Sequence, residues 1–431
     1  MLTSHQLSAN AYNELYRGKT LLLKVGGEEL TPKKLPQLIM TIQELTCDDI
    51  HVLLIFGGGV QIDEQWKAHE HKESRPKLDG LGVTTPEVLH DGVLPAYESL
   101  RRQLHHLMPG MNILNPENVH CVRKDPKYGF VGEVDSVDHL DLQSPSAIGF
   151  VGTDREGQHL NLNGDDVIRT LAGEFGGRIN EIIFLTEKGG VLDVDGNIVP
   201  LILRQNIPRI LAGEHPRIKV NGGMAKKIAE TGRMLEHDSI RKIAYTNDLV
   251  GEIIQWRGSG TLFVDGDKLE FNGLGQSERE IFTDVFQEHV GQGRFRARPS
   301  EEFAELMQHH RLLHVTNSPL GGYSRIPRDR GWHEIAAFWS GFIGNGLGKK
   351  LMQDVCEQGD RNRQKLFALT TQDDMRRAFL AGGFTGHGSL SEVQQSDLIR
   401  LLPAQLAPDR YDTTKRNPEL FTRLPKLEVK S

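Results

Sequence analysis

The chain of 431 residues reads as an α/β protein with two domains. The first is a larger N-terminal αβα sandwich on a mainly parallel sheet, and the second a smaller α+β domain. Three observations predict this. Apolar runs of strand length alternate with helical patterns as far as residue 265. Two of those runs end in bare glycines, KVGG (24–27) and FGGG (56–59), at strand carboxyl ends, where α/β sheets take ligands. A third glycine turn, GNGLG (344–348), opens a helical pattern in a region of shorter strands and closer turns.

NAYNELYRGK carries a one-sided stripe (Leu7, Ala11, Tyr12, Leu15, Tyr16) and predicts an N-terminal helix within 1–18. LLLKVGG (21–27) predicts a strand, the stretch from Lys34 to Leu45 a helix, and HVLLIFGGG (51–59) a strand feeding the helix VQIDEQWKAHEH. SAIGFVG (146–152), EIIFLTEKGGVL (181–192), IRKIAYT (240–246) and TLFVD (261–265) complete the sheet of the 19–265 domain. GDKLEFNGLGQS (266–277) is polar and glycine-containing and predicts a linker, with the second domain at 278–431. That domain begins with helical EREIFTDVFQEHV and PSEEFAELMQHH. Strands RLLHVTN, GYSRI and HEIAAFWS follow, then the glycine turn and its helix, strand KLFALTT (365–371) and helix DDMRRAFLAGGF. The tail from Pro403 reads as irregular, with apolar anchors Leu420, Phe421 and Leu424.

A net charge of −7 argues against nucleic acid and acidic membrane as partners. No run is long and apolar enough for a transmembrane helix, and the N-terminal stretch lacks the apolar region of a secretory signal. Cys47, Cys121 and Cys356 are scattered, as in a reduced cytoplasmic protein without a disulfide framework or zinc site.

Lys24, beside Gly26 and Gly27 at a strand end, suits a phosphoryl group, although a solvated lysine before a turn has the same pattern. LNLNGDDV (160–167), TEKGGVLD (186–193) and VNGGMAKKI (220–228) add further ordered motifs. Together, over roughly 17–265, these resemble the amino acid kinase family and, within it, acetylglutamate kinase. The resemblance implies that Lys24 and Lys227 contact ATP phosphates and that Asp165 orients them. It also implies that Asn161 binds substrate and that Gly58 and Gly59 cradle the ligand with their backbone. ATP and Mg2+ are cofactors only if that site is active. The family's GLRVT motif appears here as GLGVT, so Gly82 stands where an arginine holds the substrate carboxylate.

GNGLG before KKLMQDVCEQ is a glycine loop at a helix start, where backbone N–H groups bind phosphate without side chains. The order strand, loop, helix, strand, helix resembles the GCN5-related N-acetyltransferase (GNAT) fold. The whole chain resembles the bacterial N-acetylglutamate synthase family, which joins these two domains in this order. That resemblance implies acetyl-CoA at Ala337, Ile343, Gly344, Asn345, Gly346, Leu347 and Gly348. It implies Glu334 as base and Thr370 as the hydroxyl serving the leaving thiolate, although a β-branched threonine also suits any strand. It implies Arg298 and Arg416, with Arg325 a looser choice, as binders of L-glutamate, and Pro418 where the family has a serine.

Arginine-sensitive members imply an effector site for L-arginine at Tyr16, Glu252 and Gly258, and a hexamer linked by the N-terminal helix. Three functions follow: a synthase with a regulatory kinase-like domain, a bifunctional synthase and kinase, and an arginine-sensing scaffold.

Overall fold

The computed structural model describes residues 14–71, 73–78, 81–237, 240, 242–254, 258–316, 318–342, 345–408, 413–414 and 417–426. The expected N-terminal helix lies mostly outside these residues, with only its end from residue 14 to Tyr16 described as helical. The chain divides into two compact units, one of residues 15–268 and one that includes 269–431.

In the larger unit, β1 (Thr20–Val25) and β2 (His51–Phe56) are apolar runs buried on both faces, as central parallel strands require. Two short strands, β3 (Lys77–Leu78) and β4 (Leu81–Gly82), pair with each other. They are followed by β5 (Asn112–Ile113), β6 (Val119–Arg123), β7 (Val131–Val137), β8 (Ser146–Ile148), β9 (Val151–Thr153) and β10 (His159–Leu162). The unit closes with β11 (Glu181–Leu185), β12 (Leu201–Leu203), β13 (Lys242–Thr246) and β14 (Thr261–Val264). The main sheet has the order β12-β14-β13-β11-β1-β2-β8-β5 and is parallel except between β13 and β14. A separate closed barrel, β10-β7-β6-β9, has no counterpart in the sequence reading. SAIGFVG, read as one strand, is divided: β8 joins the main sheet and β9 the barrel. Helices α1 (Leu35–Cys47), α2 (Gly59–Ala68), α3 (Leu94–Leu107), α4 (Gly164–Phe175) and α5 (Gly222–Glu236) complete what positions the site.

The smaller unit is one seven-stranded sheet, ordered β15-β16-β17-β18-β19-β21-β20. Its strands are β15 (Glu270–Gly273), β16 (His310–Val315), β17 (Ser318–Pro327), β18 (Trp332–Ser340), β19 (Lys365–Thr370), β20 (Thr385–Ser389) and β21 (Glu419–Arg423). Only β18 and β19 run parallel. Helices α6 (Gln276–Gly291), α7 (Ser300–Gln308), α8 (Leu347–Arg361) and α9 (Asp373–Ala381) pack on it.

Two expectations are corrected. The segment 266–277 is not a linker: it holds β15, paired with β16, and the start of α6, and the units part between Lys268 and Leu269. Its polar residues fit a sheet-edge strand, where one side of the ladder meets water. The tail after Pro403 is not irregular either. β21 inserts between β19 and β20, and Leu402, Leu406 and Leu420 join a core with Trp332 and Phe367. Phe421 is buried against Phe379, whereas Leu424 is exposed and anchors nothing. Among the described residues no helix is long and apolar enough to cross a membrane.

Because β21 is an interior strand, Phe421→Ala is expected to cost about 3–5 kcal/mol of unfolding free energy in denaturant titrations. A cost within about 0.5 kcal/mol, as at an exposed tail position, would contradict that placement.

Candidate active site

In the smaller unit β18 and β19 pair only from Trp332↔Lys365 to Ile335↔Ala368. Beyond that the two parallel strands separate. Ala337 sits at φ 45°, in the left-handed region that residues with a Cβ seldom adopt. A cavity of about 260 Å³ opens there, lined by Ala336, Ala337 and Phe338 of β18, Leu369 and Thr370 of β19, and Gly348 of α8. Gly346, at φ 84°, turns the chain into α8, where the first-turn amides have no helical partners. The cavity therefore combines an unpaired strand edge with a helix N-terminus. Leu347 is buried beneath the turn, and Asn345 precedes it. Ile343 and Gly344 lie outside the described residues, as does Arg416.

A second cavity of about 110 Å³ shares Arg294, Phe295 and the 335–337 backbone with the first. Arg296, Arg298, Glu334 and Pro418 line it as well. Glu334 is 9% exposed. Its Oε1 accepts from Arg298 Nη2 at 3.1 Å, and its Oε2 from Arg328 Nη2 at 2.6 Å and Nε at 3.0 Å. Burial alone would push this carboxyl up, but the two guanidinium groups outweigh it and hold it below the usual carboxylate range. Glu334 is therefore ionised, and weakly basic. Thr370, the last residue of β19, accepts the Gln372 N–H at 3.0 Å on Oγ1 and lines the larger cavity.

Arg325 does not join this group. It pairs with Ile335, whereas Glu334 pairs with Ile326, so alternation puts Arg325 on the opposite face. There it lies near Tyr323, whose hydroxyl donates to Asp354 of α8. Missed from the sequence were Arg294, Arg296 and Arg328. The first two have a signal in GRFRARP, where alternate arginines lie on one side of an extended segment.

The larger unit assembles its own cluster at the carboxyl ends of β1 and β2. Lys24 Nζ lies 3.4 Å from Asp165 Oδ1 at the start of α4. Lys227, on the first turns of α5, is held below the usual lysine value by burial and then by the charge of Lys24. A Cβ at Gly27 would fall 2.6 Å from Gln61 Oε1 and 3.0 Å from Val60 N, so Gly27 makes room for the start of α2 and its Gln61 side chain. At Gly58 a Cβ would strike the Phe150 ring at 2.3 Å. Gly26 precedes the short turn that follows β1, and Asn161 Nδ2 donates to Thr84 Oγ1 at 3.0 Å.

Tyr16, Glu252 and Gly258 belong to a second, deeply buried cluster in the same unit. Tyr16 donates to Glu181 Oε2 at 2.8 Å, and Lys242 Nζ lies 2.7 Å from both the Tyr16 hydroxyl and that Glu181 oxygen. Glu252 accepts the Ser259 N–H at 2.9 Å; burial, then the Glu181 charge, push its carboxyl up to about 7. Gly258 has φ 67°, and a Cβ there would meet Glu252 Oε1 at 2.6 Å.

No protein-family model matches the chain. Its fold is that of an amino acid kinase-like unit with an acetyltransferase-type unit. Two solved structures share it over 99% of this chain and all of theirs, both N-acetylglutamate synthase from Neisseria gonorrhoeae. The complex with coenzyme A and L-arginine aligns at TM-score 0.66 and 16% identity, and that with coenzyme A and N-acetyl-glutamate at 0.58 and 18%. Acetylglutamate kinase from Shewanella amazonensis is 28% identical over 258 residues, 57% of this chain and 92% of its own length. The Shewanella oneidensis kinase is 26% identical over 256 residues, 56% of this chain and 92% of its own.

Glu334→Gln would leave Arg298 and Arg328 without a buried counter-charge and is expected to cost about 3–5 kcal/mol at neutral pH. The folded-state pKa of Glu334 lies below its unfolded value. Its stabilisation is therefore full above about pH 4.3 and is lost as pH falls through the folded-state value. Denaturant titrations of both proteins across pH 3–7 should show the gap closing on acidification; a constant gap would refute the pairing.

Proposed function

We propose that the chain is an N-acetylglutamate synthase that transfers acetyl from acetyl-CoA to the α-amino group of L-glutamate, the opening step of arginine biosynthesis. The observation that carries this reading is the parting of β18 from β19 beside Glu334, held by Arg298 and Arg328, and Thr370, which lines the larger cavity. The pantetheine arm would pair with the exposed edge of β18, and the pyrophosphate would meet the amides opening α8. Arg294, Arg296 and Arg298 supply cations for the two carboxylates of glutamate, and Arg416 is proposed to join them. The amine nitrogen bonds to the thioester carbonyl carbon and the C–S bond breaks. Glu334 takes the first ammonium proton, directly or through water, as a weak base because its arginine neighbours outweigh its burial. As the C–S bond breaks, the second proton shed by the amine nitrogen passes through Thr370 Oγ1 to the departing thiolate, so Thr370 ends neutral. Pro418 offers no hydroxyl at the smaller cavity, so the arginines carry carboxylate recognition.

Thiol release from acetyl-CoA should require glutamate, and Glu334→Gln should lower kcat about a hundredfold or more in the fraction that folds. Glutamate-independent release, or an unchanged kcat, would reject the reading.

The buried cluster supports L-arginine as feedback inhibitor; the chain is further proposed to be a cytoplasmic homo-oligomer, a hexamer joined through its N-terminal helix. A bound guanidinium would favour the ionised form of Glu252, so arginine binding near pH 6 should release a proton. Calorimetry in buffers of different ionisation enthalpy reads this directly, and Gly258→Ala should abolish both the inhibition and the proton release. Inhibition without proton release would move the effector elsewhere.

A second reading, in which the larger unit also phosphorylates N-acetylglutamate with ATP and Mg2+, is favoured by the contact of Lys24 with Asp165 and the closeness of Lys227. ADP release dependent on N-acetylglutamate, lost in Lys24→Ala, tests it.

A further inference from the structure

The ligand-facing end of the larger unit holds a cation that no motif announces. Arg75 follows α2 in a loop, and its side chain is only 11% exposed. Its Nε donates to Asp63 Oδ1 at 2.6 Å and its Nη2 to the Gly59 carbonyl at 3.2 Å. These two bonds fix the guanidinium plane. The remaining nitrogen, Nη1, lies 3.8 Å from the point where a Cβ would stand on Gly82. Two residues beyond Gly82, Thr84 Oγ1 accepts from Asn161 at 3.0 Å. Direct contacts thus link Gly59 to Arg75, Arg75 to position 82, and Thr84 to Asn161. On the other side of Gly59 the Gln61 side chain fills the space over Gly27, its Nε2 donating to the Gly27 carbonyl at 2.9 Å. A largely buried guanidinium with a fixed plane, close to an asparagine, suits one kind of ligand, a small molecule bearing a carboxylate.

We propose that Arg75 supplies, from outside the glycine motifs, the guanidinium that recognises a carboxylate of a small acidic ligand in the larger unit, with Asp63 holding it in that orientation. Glycine at 82 is then part of the arrangement, since it leaves the space that Nη1 faces. Asp63 is about half exposed, so it orients Arg75 without cancelling its charge in the pocket. The inference concerns ligand binding in the larger unit and does not depend on acetyl transfer.

The test uses the full chain, titrated calorimetrically with N-acetyl-L-glutamate as probe and its dimethyl ester as the uncharged control. A binding component is expected that weakens about tenfold to a hundredfold in Arg75→Ala and in Arg75→Gln, the loss of one charge-assisted hydrogen bond. Adding Gly82→Arg to either variant should restore it. Position 82 has no positive φ, and the nearest atom to a new Cβ belongs to the side chain that has been shortened. A guanidinium needed only to brace α2 would not be replaced from position 82, so loss without rescue overturns the proposal. So does an affinity unchanged in Arg75→Gln, the absence of any Arg75-dependent component, or equal binding of the ester. If Arg75→Ala does not fold, Arg75→Gln serves for the comparison, since its amide reaches about as far as Nε, the atom that donates to Asp63, and lacks only the charge and the Nη atoms.

Discussion

A carboxylate removed from water needs compensating charge, and Glu334 receives it from two directions. Arg298 comes from the loop ahead of α7 and Arg328 from the turn between β17 and β18. This pairing ties the far end of the 294–298 loop to the sheet through Arg298, while its near end is held to α6, where the Arg294 and Phe295 N–H groups donate to the His289 carbonyl. Arg296 reaches only Glu302, on the following helix. The loop in turn carries Arg294 and Phe295, which wall both cavities. The candidate cleft is therefore shaped partly by an ion pair that also contains the proposed proton acceptor. Arg328 bonds Glu305 as well, so the network spreads over three elements and resists rearrangement when one contact is exchanged for a ligand.

The two buried carboxyls, Glu334 and Glu252, show how environment divides one chemistry into two roles. Each is penalised by desolvation. At Glu334 the neighbouring charges are cations and the net effect is downward, giving a carboxylate that stays ionised through the physiological range. At Glu252 the next influence after burial is another carboxylate, Glu181, and both push upward. Glu252 thus sits near the pH at which a cationic ligand alters its protonation most. A group suited to constant charge lies in the proposed catalytic cleft, and one suited to switching lies in the proposed effector cluster.

Much of this was legible in the sequence because it is local. Lys24, Asp165 and Lys227 each adjoin a strand end or helix start marked by glycine or asparagine, and such positions converge at one edge of a parallel sheet. Glu334 and Thr370 came from the resemblance to the acetyltransferase fold, and the structure places them on the two strands whose parting opens the cavities. What failed was non-local. Arg325 was placed by strand membership alone, and a one-residue difference in register reverses the face. The tail carried no periodicity long enough to reveal β21, whose five residues find their place only when β19 and β20 are already present. The polar segment 266–277 looked like a linker because edge strands and linkers have similar compositions.

The larger unit shows the same limit from another side. Glu181 and Lys242 each begin an apolar strand, where a lone charge ordinarily marks the solvated end. The ladder pairs Ile182 with Ile243, so the preceding residues fall side by side, and Tyr16 closes over them. Both charges are only 1% exposed as a result. Neither segment shows this alone, because burial comes from register between strands more than fifty residues apart together with a tyrosine from the start of the unit. The sheet consequently has two functional ends built by different means. At its carboxyl edge, glycines expose backbone amides and the chemistry is written in motifs. At its amino edge, packed side chains enclose a charged cluster, and only the pairing of strands defines it. That division explains why a chain can keep a sharp glycine signature while its proposed effector cluster is built from residues that look, in sequence, like ordinary strand beginnings.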